Sequence, residues 1–303
     1  TQGMHGMISQ VEGLAKALDL DFTHHTVELN NFWKMFPPKI TPISQRVFKN
    51  INVEDFDVII SCGRKSFIPS IYLKKNSSKK IMNIHIQDPK VNLNNFNYVI
   101  APDHDGLSGA NVLSTKGAVH YLTKNEIDNN RDYLKDELDK DKEYFPLILG
   151  GPTKHYDYSN ENILKIFNLF YDLVENNNLQ GIIIPSMRTP KKIIELSKDK
   201  LGSNSLVIDK VDKKAYLSAL SVGKYIAVTC DSISMISEAA LTGKPIYIAD
   251  IPPKKNDLRI KKFRELFTKL NIIKKLDNQL ETWHYEILDE TSRVAKKIKK
   301  QLI

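Results

Sequence analysis

The chain has 303 residues and a net charge of +8, with 41% hydrophobic and 26% charged residues. This composition is ordinary for a globular protein, and the length is sufficient for two domains. No apolar run approaches the ~20 residues of a membrane-spanning helix, which argues against an integral membrane protein. No signal-peptide pattern is visible, so we expect a cytoplasmic protein.

The first half of the sequence alternates apolar runs with amphipathic segments, a pattern typical of an α/β domain. The predicted elements are helix 8–18, strand 57–61, helix 66–74, strands 80–86, 97–101 and 118–122, and a charged helix over 125–143. Because the chain starts in a turn-like stretch, residues 1–6, we expect that a first strand of this domain is missing from the sequence.

The second half repeats the alternation with shorter connections. Its predicted elements are strand 145–149, helix 160–175, strand 181–185, a helix opened by Pro190, strand 206–209, helix 213–221, strand 225–228, a helix from Ser234 and strand 246–249. Strands and helices that alternate in this way predict a parallel, doubly wound sheet. Such sheets bind ligands outside the carboxyl ends of their strands.

Polar and glycine residues follow several of these strands. Gly150 and Gly151 follow the first, Arg188 the second, and a run of hydroxyls the fourth. The hydroxyls belong to Thr229, Ser232, Ser234 and Ser237, and Glu238 comes next. Hydroxyl and N–H donors suit phosphate, and a carboxylate suits a ribose diol. The alternative is an ordinary capped helix in which Glu238 is simply solvated.

Lysines and arginines concentrate in residues 254–264 and in the tail, residues 296–300. A solvated helix face explains them, although a basic surface also favours anionic ligands such as a nucleoside diphosphate or an anionic membrane surface. No basic motif interleaved with aromatic residues is present, so nucleic acid is not an expected partner. Cys62 and Cys230 lack metal-ligand spacing and are predicted to be reduced, buried thiols.

Several motifs together resemble the mitochondrial fission family that is named for elongated mitochondria. They are His104-Asp105-Gly106, Asn111-Val112, Thr115, Leu149-Gly150-Gly151-Pro152, Arg188-Thr189-Pro190, Val228-Thr229, Asp231-Ser232, Ser234-Met235, Thr242-Gly243-Lys244-Pro245, Arg259 to Phe263, Trp283 and Leu288-Asp289-Glu290-Thr291. The resemblance extends through nearly the whole chain. Met187 stands where the family usually has a second basic residue before Arg188, which weakens the expected phosphate clamp.

Members of this family are similar to GT-B glycosyltransferases, so the resemblance implies two Rossmann-like, doubly wound parallel-sheet domains with a cleft between them. The expected domains are residues 1–143, a nucleotide-binding domain at 144–283, and a C-terminal helix at 284–303 that packs back toward the first domain. The segment 232–245 also resembles the donor-binding helix of the bacterial transferase that completes lipid II, in which the helix carboxylate, here Glu238, holds the ribose.

The resemblance implies a nucleotide-sugar-dependent glycosyltransferase, with the nucleotide sugar as donor substrate and with no cofactor or metal. Cell-envelope glycoconjugate synthesis is the expected setting, with the protein in the cytoplasm or peripheral to the inner face of the membrane. The alternatives are a GT-B-fold epimerase and a non-catalytic adaptor related to mitochondrial fission factors. The nucleotide and phosphate ligands are expected to be Gly6, Gly150, Gly151, Arg188, Thr229, Asp231, Ser232, Ser234, Met235 and Glu238.

A transferase also needs a general base for the acceptor hydroxyl. His104 and Asp105 follow a predicted strand in a loop that is bracketed by glycines, and they are the candidates. The alternative is that Asp103 and Asp105 only cap turns and that His104 is a surface histidine. Gly6 lies in a turn-like stretch, where glycine serves either a tight turn or the close approach of a ligand.

Overall fold

The computed structural model describes residues 1–49, 51 and 56–301, which form two compact α/β units. The first unit contains Thr1–Tyr121 and Asp289–Ile303, and the second contains Leu122–Leu288. The expected fold class, α/β with two parallel sheets, is confirmed.

The first unit is built on a four-stranded parallel sheet with the order β1-β2-β3-β4. Its elements are α1 (His5–Ala17), α2 (Asn31–Lys34), β1 (Val58–Cys62), α3 (Phe67–Asn76), β2 (Met82–Ile86), β3 (Tyr98–Pro102) and β4 (Val112–Thr115). These strands carry buried apolar residues because helices cover a parallel sheet on its faces. Val11 and Leu14 of α1 pack in one core cluster with Ile84 and Ile100 of the sheet.

One predicted strand of the first unit is wrong. Residues 118–122 are not a strand, and the fourth strand is β4 at Val112–Thr115. The segment is apolar because it crosses α1 and is buried there, with Val119 only 2% exposed. A Cβ at Gly13 would lie 2.4 Å from the backbone oxygen of His120, so only glycine allows this crossing.

The second unit is built on a six-stranded parallel sheet with the order β10-β9-β8-β5-β6-β7. Its elements are α4 (Lys124–Asn129), β5 (Glu143–Leu149), α5 (Asn160–Asn176), β6 (Leu179–Pro185), α6 (Lys191–Leu201), β7 (Ser205–Val207), α7 (Lys213–Val222), β8 (Ile226–Thr229), α8 (Ile233–Ala239), β9 (Ile246–Ala249), α9 (Leu258–Lys269) and β10 (Ile273–Lys275). The chain leaves β5 toward β6 and β7 and then returns to β8 on the other side. The strand order therefore reverses between β5 and β8.

The charged segment 125–143 is not one helix. The helix α4 ends at Asn129, and a 3₁₀ turn follows at Arg131–Leu134. The Asn130 side-chain amide donates to the Glu126 carbonyl at 2.8 Å, which competes with continued helix formation. The Ser218 hydroxyl donates to the Arg131 carbonyl at 2.8 Å, so this segment packs on α7 within the second unit. For this reason the unit begins at Leu122 and not at the expected residue 144.

The last helix, α10 (Glu290–Lys299), belongs to the first unit. It is shorter than the predicted helix 284–303, because Asp289 caps its N-terminus by accepting from the Ser292 backbone N–H. The last two residues of the predicted helix, 302 and 303, lie outside the described residues. Val294 and Ile298 are fully buried against the cluster that contains Val11 and Leu14.

Candidate functional site

The carboxyl ends of β5, β6 and β8 bring together the polar residues of the second unit. Gly150 and Gly151 follow β5, Arg188 follows β6, and Asp231 follows β8. Neighbouring parallel strands end at the same edge of a sheet, and this edge includes the position where the strand order reverses. In open α/β sheets that switch point is where ligands bind. The predicted convergence of Gly150, Gly151 and Arg188 is therefore observed.

A buried carboxylate lies at the centre of this edge. The Asp231 side chain is completely buried, and its Oδ2 accepts from Arg188 Nη2 at 2.7 Å and from the Gly151 N–H at 3.3 Å. The hydroxyls of Tyr158 and Thr229 donate to the other oxygen, Oδ1. Burial, followed by the charge of Asp231, raises the pKa of Tyr158 far above its ordinary value, so its hydroxyl stays protonated as a donor. A charge so completely surrounded by donors is stable in the protein interior.

The two glycines are required by close packing around this carboxylate. A Cβ at Gly150 would lie 2.3 Å from an Asp231 carboxylate oxygen, and a Cβ at Gly151 would lie 2.1 Å from the Arg188 backbone oxygen. The Gly150 N–H donates to Thr229 Oγ1 at 2.8 Å. Both glycine amides thus donate within the protein and not outward, in contrast to their expected role as diphosphate donors. They shape the edge on which Arg188 is displayed.

The Arg188 guanidinium is held in position by hydrogen bonds and is also exposed to solvent. In addition to its bond with Asp231, its Nη1 donates to the Gly151 carbonyl at 3.0 Å. A guanidinium has five N–H donors, and these contacts use two of them. The side chain remains 41% exposed, so an external anion can reach the group. Met187 beside it is 74% exposed and supplies no charge.

The hydroxyl-rich turn after β8 is partly used to begin α8. Ser232 is the N-cap, and its Oγ accepts from the Met235 N–H at 3.4 Å. The backbone N–H of Met235 is therefore already hydrogen-bonded within the protein. Ser232, Ser234 and Met235 are half-buried, which leaves part of each surface at the edge. Thr229 is fully buried inside the Asp231 network and is a structural residue of the edge.

Glu238 is not a solvated surface carboxylate. It lies six residues after the N-cap, about 9 Å further along the helix axis, and is 9% exposed. Its Oε2 accepts from the Tyr216 hydroxyl of α7 at 2.7 Å. Burial raises the pKa of Glu238 to about 7, and the Tyr216 hydrogen bond partly opposes that shift. The carboxyl group therefore changes its protonation state near neutral pH.

Two side chains that hold the carboxylates of this unit were not predicted from the sequence. Tyr158 and Tyr216 each donate to a buried carboxylate from another element, and no local spacing indicates such a contact. Lys244 was noted only as part of a motif. Its Nζ donates to the Leu220 and Ser221 carbonyls at the end of α7, and burial lowers its pKa to about 8.

In the first unit, the candidate base lies in a short 3₁₀ turn, Asp103–Asp105, directly after β3. The turn ends at Gly106, whose φ of 66° is in the left-handed region that favours glycine. The His104 side chain is 1% exposed, and its Nε2 lies 3.7 Å from Asp105 Oδ1. The alternative of a surface histidine is therefore wrong. Gly6 lies in the exposed first turn of α1, with open space where a Cβ would be.

The described residues, 1–49, 51 and 56–301, contain neither a metal-binding cluster nor a membrane-spanning helix. Among these residues, no group of three or more His, Cys, Asp or Glu side chains is placed to hold a metal ion. The same part of the chain has no helix that is long and apolar enough to span a bilayer.

Comparison with known proteins confirms the family. The model of the family described as Mitochondrial fission ELM1 matches residues 5–302. The chain belongs to the mitochondrial fission ELM1 family. An uncharacterized Rickettsia prowazekii protein, RP120, is 28% identical over 281 residues, covering 80% of this chain and 79% of its own. The Arabidopsis thaliana mitochondrial fission protein ELM1 is 23% identical over 274 residues, which cover 81% of this chain and 64% of the plant protein.

The solved structures include a UDP-GlcNAc 2-epimerase from Methanocaldococcus jannaschii with a TM-score of 0.49 and 18% identity. The matched region covers 80% of this chain and 77% of the epimerase.

Proposed function

We propose that the second unit binds the diphosphate of a nucleotide sugar at Arg188. We further propose that the protein is a glycosyltransferase that transfers the sugar to an acceptor hydroxyl, in the synthesis of cell-envelope glycoconjugates. The observation that carries the proposal is the position of Arg188, an oriented and accessible guanidinium at the edge where the strand order reverses. Membership of the ELM1 family supports it through the family's likeness to GT-B glycosyltransferases.

Arg188 suits the chemistry of the leaving group. When the glycosidic bond to a nucleoside diphosphate breaks, negative charge accumulates on the diphosphate oxygens. A guanidinium already held in position by Asp231 and Gly151 stabilises that charge without reorganising in the reaction. The half-buried hydroxyls of Ser232 and Ser234 add neutral donors nearby.

The proposal also assigns roles to residues that would contact the ribose and the acceptor. Glu238 accepts hydrogen bonds through its carboxyl oxygens, which suits the hydroxyls of a ribose. Tyr216 fixes that carboxyl by donating to it. In the first unit, His104 with Asp105 nearby is the candidate general base for the acceptor, and Gly6 is the candidate for close approach of the diphosphate.

Binding is tested by calorimetry with uridine diphosphate and the other nucleoside diphosphates. We expect wild-type protein to bind at least one of them and Arg188→Lys to bind it about tenfold more weakly. The lysine keeps a positive charge beside Asp231 but loses the planar fork of donors. Lys200→Ala, at an exposed position at the end of α6, is the matched control and should bind like wild type. Absence of binding to wild-type protein at millimolar concentrations contradicts the proposal.

Activity separates the transferase from its alternatives. A panel of nucleotide sugars is incubated with the protein and a membrane extract as acceptor source, and free nucleoside diphosphate and labelled glycoconjugate are measured. We expect both products, and we expect His104→Gln to lower the rate of transfer while nucleotide affinity is kept. A sugar epimer with no transfer would assign an epimerase instead. Tight nucleotide binding without any turnover would assign a non-catalytic binding protein.

A further inference from the structure

The first unit exposes an unusual concentration of apolar side chains in one short segment. Residues 31–40, here called the aromatic segment, contain three large apolar side chains that face water: Phe32 is 62% exposed, Met35 81% and Ile40 62%. Single exposed apolar residues are common on soluble proteins, but several in one segment are typical of an interaction site.

The aromatic segment is anchored to the fold. The ring of Phe32 lies 5.0 Å from each of the rings of Trp33 and Phe36. Trp33 packs against a buried core cluster of the first unit and thereby ties the segment to the sheet and α3. Lys65, from the turn after β1, donates through Nζ to the Lys34 carbonyl at 2.5 Å. The exposed side chains are therefore displayed by a defined local structure.

The charges of this region have one sign. From Leu29 to Arg46 the charged residues are Lys34, Lys39 and Arg46, with no Asp or Glu among them. Apolar and aromatic side chains with lysines beside them match the interfacial zone of a bilayer whose headgroups are anionic. A protein partner of the same kind would need acidic groups around an apolar pocket, whereas a membrane supplies both features over any area.

The other basic regions fit a membrane less well. The apolar face of α10 is consumed by the core, since Val294 and Ile298 are fully buried. The lysines of α10 therefore have no apolar face to insert beside them. In the basic cluster 254–264, Phe263 is also fully buried. Leu258, which is 57% exposed, is a single large apolar side chain rather than a group of several.

We infer that residues 31–40 dock this protein on an anionic bilayer surface. Phe32, Met35 and Ile40 enter the interfacial region, and Lys34 and Lys39 contact the headgroup phosphates. Trp33 and Phe36 remain as the support beneath them. The docking does not depend on the proposed transferase activity.

The test is flotation of the full chain with vesicles of phosphatidylcholine alone and of phosphatidylcholine mixed with phosphatidylglycerol. We expect binding to the mixed vesicles and much weaker binding to the neutral ones. Phe32→Ser with Met35→Ser should lower the partition coefficient at least about tenfold, because two apolar side chains no longer insert. Leu258→Ser is the matched control, an exposed apolar residue among lysines, and should bind like wild type.

Two further measurements test the role of the lysines and the closeness of Trp33 to the lipids. Lys34→Glu with Lys39→Glu should weaken binding at least about tenfold, near fivefold for each lost lysine, whereas Lys254→Glu with Lys255→Glu should have a small effect. Of the two tryptophans, Trp283 is buried, so in a Trp283→Phe variant brominated lipids should quench the fluorescence of Trp33. The inference is overturned if wild-type protein stays in solution with anionic vesicles. It is also overturned if the Phe32 and Met35 double variant binds as tightly as Leu258→Ser.

Discussion

Arg188 and Asp231 form an ion pair, 2.7 Å long, that is buried on one side only. The Asp231 side chain is completely buried and the Arg188 side chain is 41% exposed. The arginine neutralises a charge in the interior and also presents donors to the outside. The same two residues thus combine a structural ion pair with a guanidinium that is exposed to solvent.

The two partners of this pair should respond unequally to substitution. Arg188→Leu leaves a buried carboxylate without its counter-ion and should lower the free energy of unfolding by about 2–3 kcal/mol, below the value for a fully buried pair. Adding Asp231→Asn removes the uncompensated charge and should restore much of the loss. Urea denaturation of the single and double variants measures this coupling. Independent, additive losses would show that the pair does not contribute as described.

The glycines around Asp231 should tolerate no side chain. Gly150→Ala and Gly151→Ala place a Cβ 2.3 and 2.1 Å from their nearest atoms, and each should cost about 2–4 kcal/mol of stability. Gly6→Ala is the control, because open space surrounds its Cβ and alanine is the better helix former. Thermal melts should show a loss for the first two variants and no loss for the third. Equal melting temperatures for all three would contradict the packing geometry.

The raised pKa of Glu238 makes stability depend on pH. Its pKa is about 7 in the folded protein against an ordinary value of 4.5, so the folded state holds the proton more tightly. The stabilisation is fully present below pH 4.5 and is lost as the pH rises to about 7, a change of about 3 kcal/mol. The difference in unfolding free energy between wild-type protein and Glu238→Gln should follow this course. A difference that stays constant across this range would disprove a raised pKa.

The assignment of Glu238 to the ribose predicts a selective defect. Glu238→Ala should weaken nucleoside diphosphate binding by about 1.5–3 kcal/mol, the range for a hydrogen bond to a charged group. Inorganic pyrophosphate has no ribose, so its affinity should hardly change. Calorimetry with both ligands tests the assignment. Equal losses for the two ligands would point instead to a general disturbance of the edge.

The helix α10 should be essential to the first unit. Ile298 is fully buried, and Ile298→Ala should cost about 2–5 kcal/mol through lost burial and the cavity that remains. Lys297→Ala, at the preceding exposed position, should leave stability unchanged. Hydrogen exchange of the backbone amides of α1 measures the stability of the first unit specifically. If Ile298→Ala leaves α1 protected as in wild type, the packing of α10 is not a stabilising element.

Much of the second unit could be predicted because its signals are local. The apolar runs at β5, β6, β8 and β9 depend on residues a few positions apart. The same reasoning failed at 118–122, because an apolar run indicates burial and does not distinguish a strand from a buried crossing segment. It failed again at 125–143, where an asparagine side chain ends α4 after six residues.

The sequence by itself determined the α/β class, the second-unit strands β5 to β9, and the edge at which Gly150, Gly151 and Arg188 gather. These features follow from the spacing of apolar residues along the chain and from the rule that neighbouring parallel strands end at the same edge of a sheet. Only the tertiary structure decided that the amides of Gly150 and Gly151 donate inward, that Tyr158 and Tyr216 hold the two carboxylates, and that Glu238 is buried. Each of these depends on contacts between residues that are distant in the chain, and hydrogen bonding and desolvation at such contacts leave no local pattern.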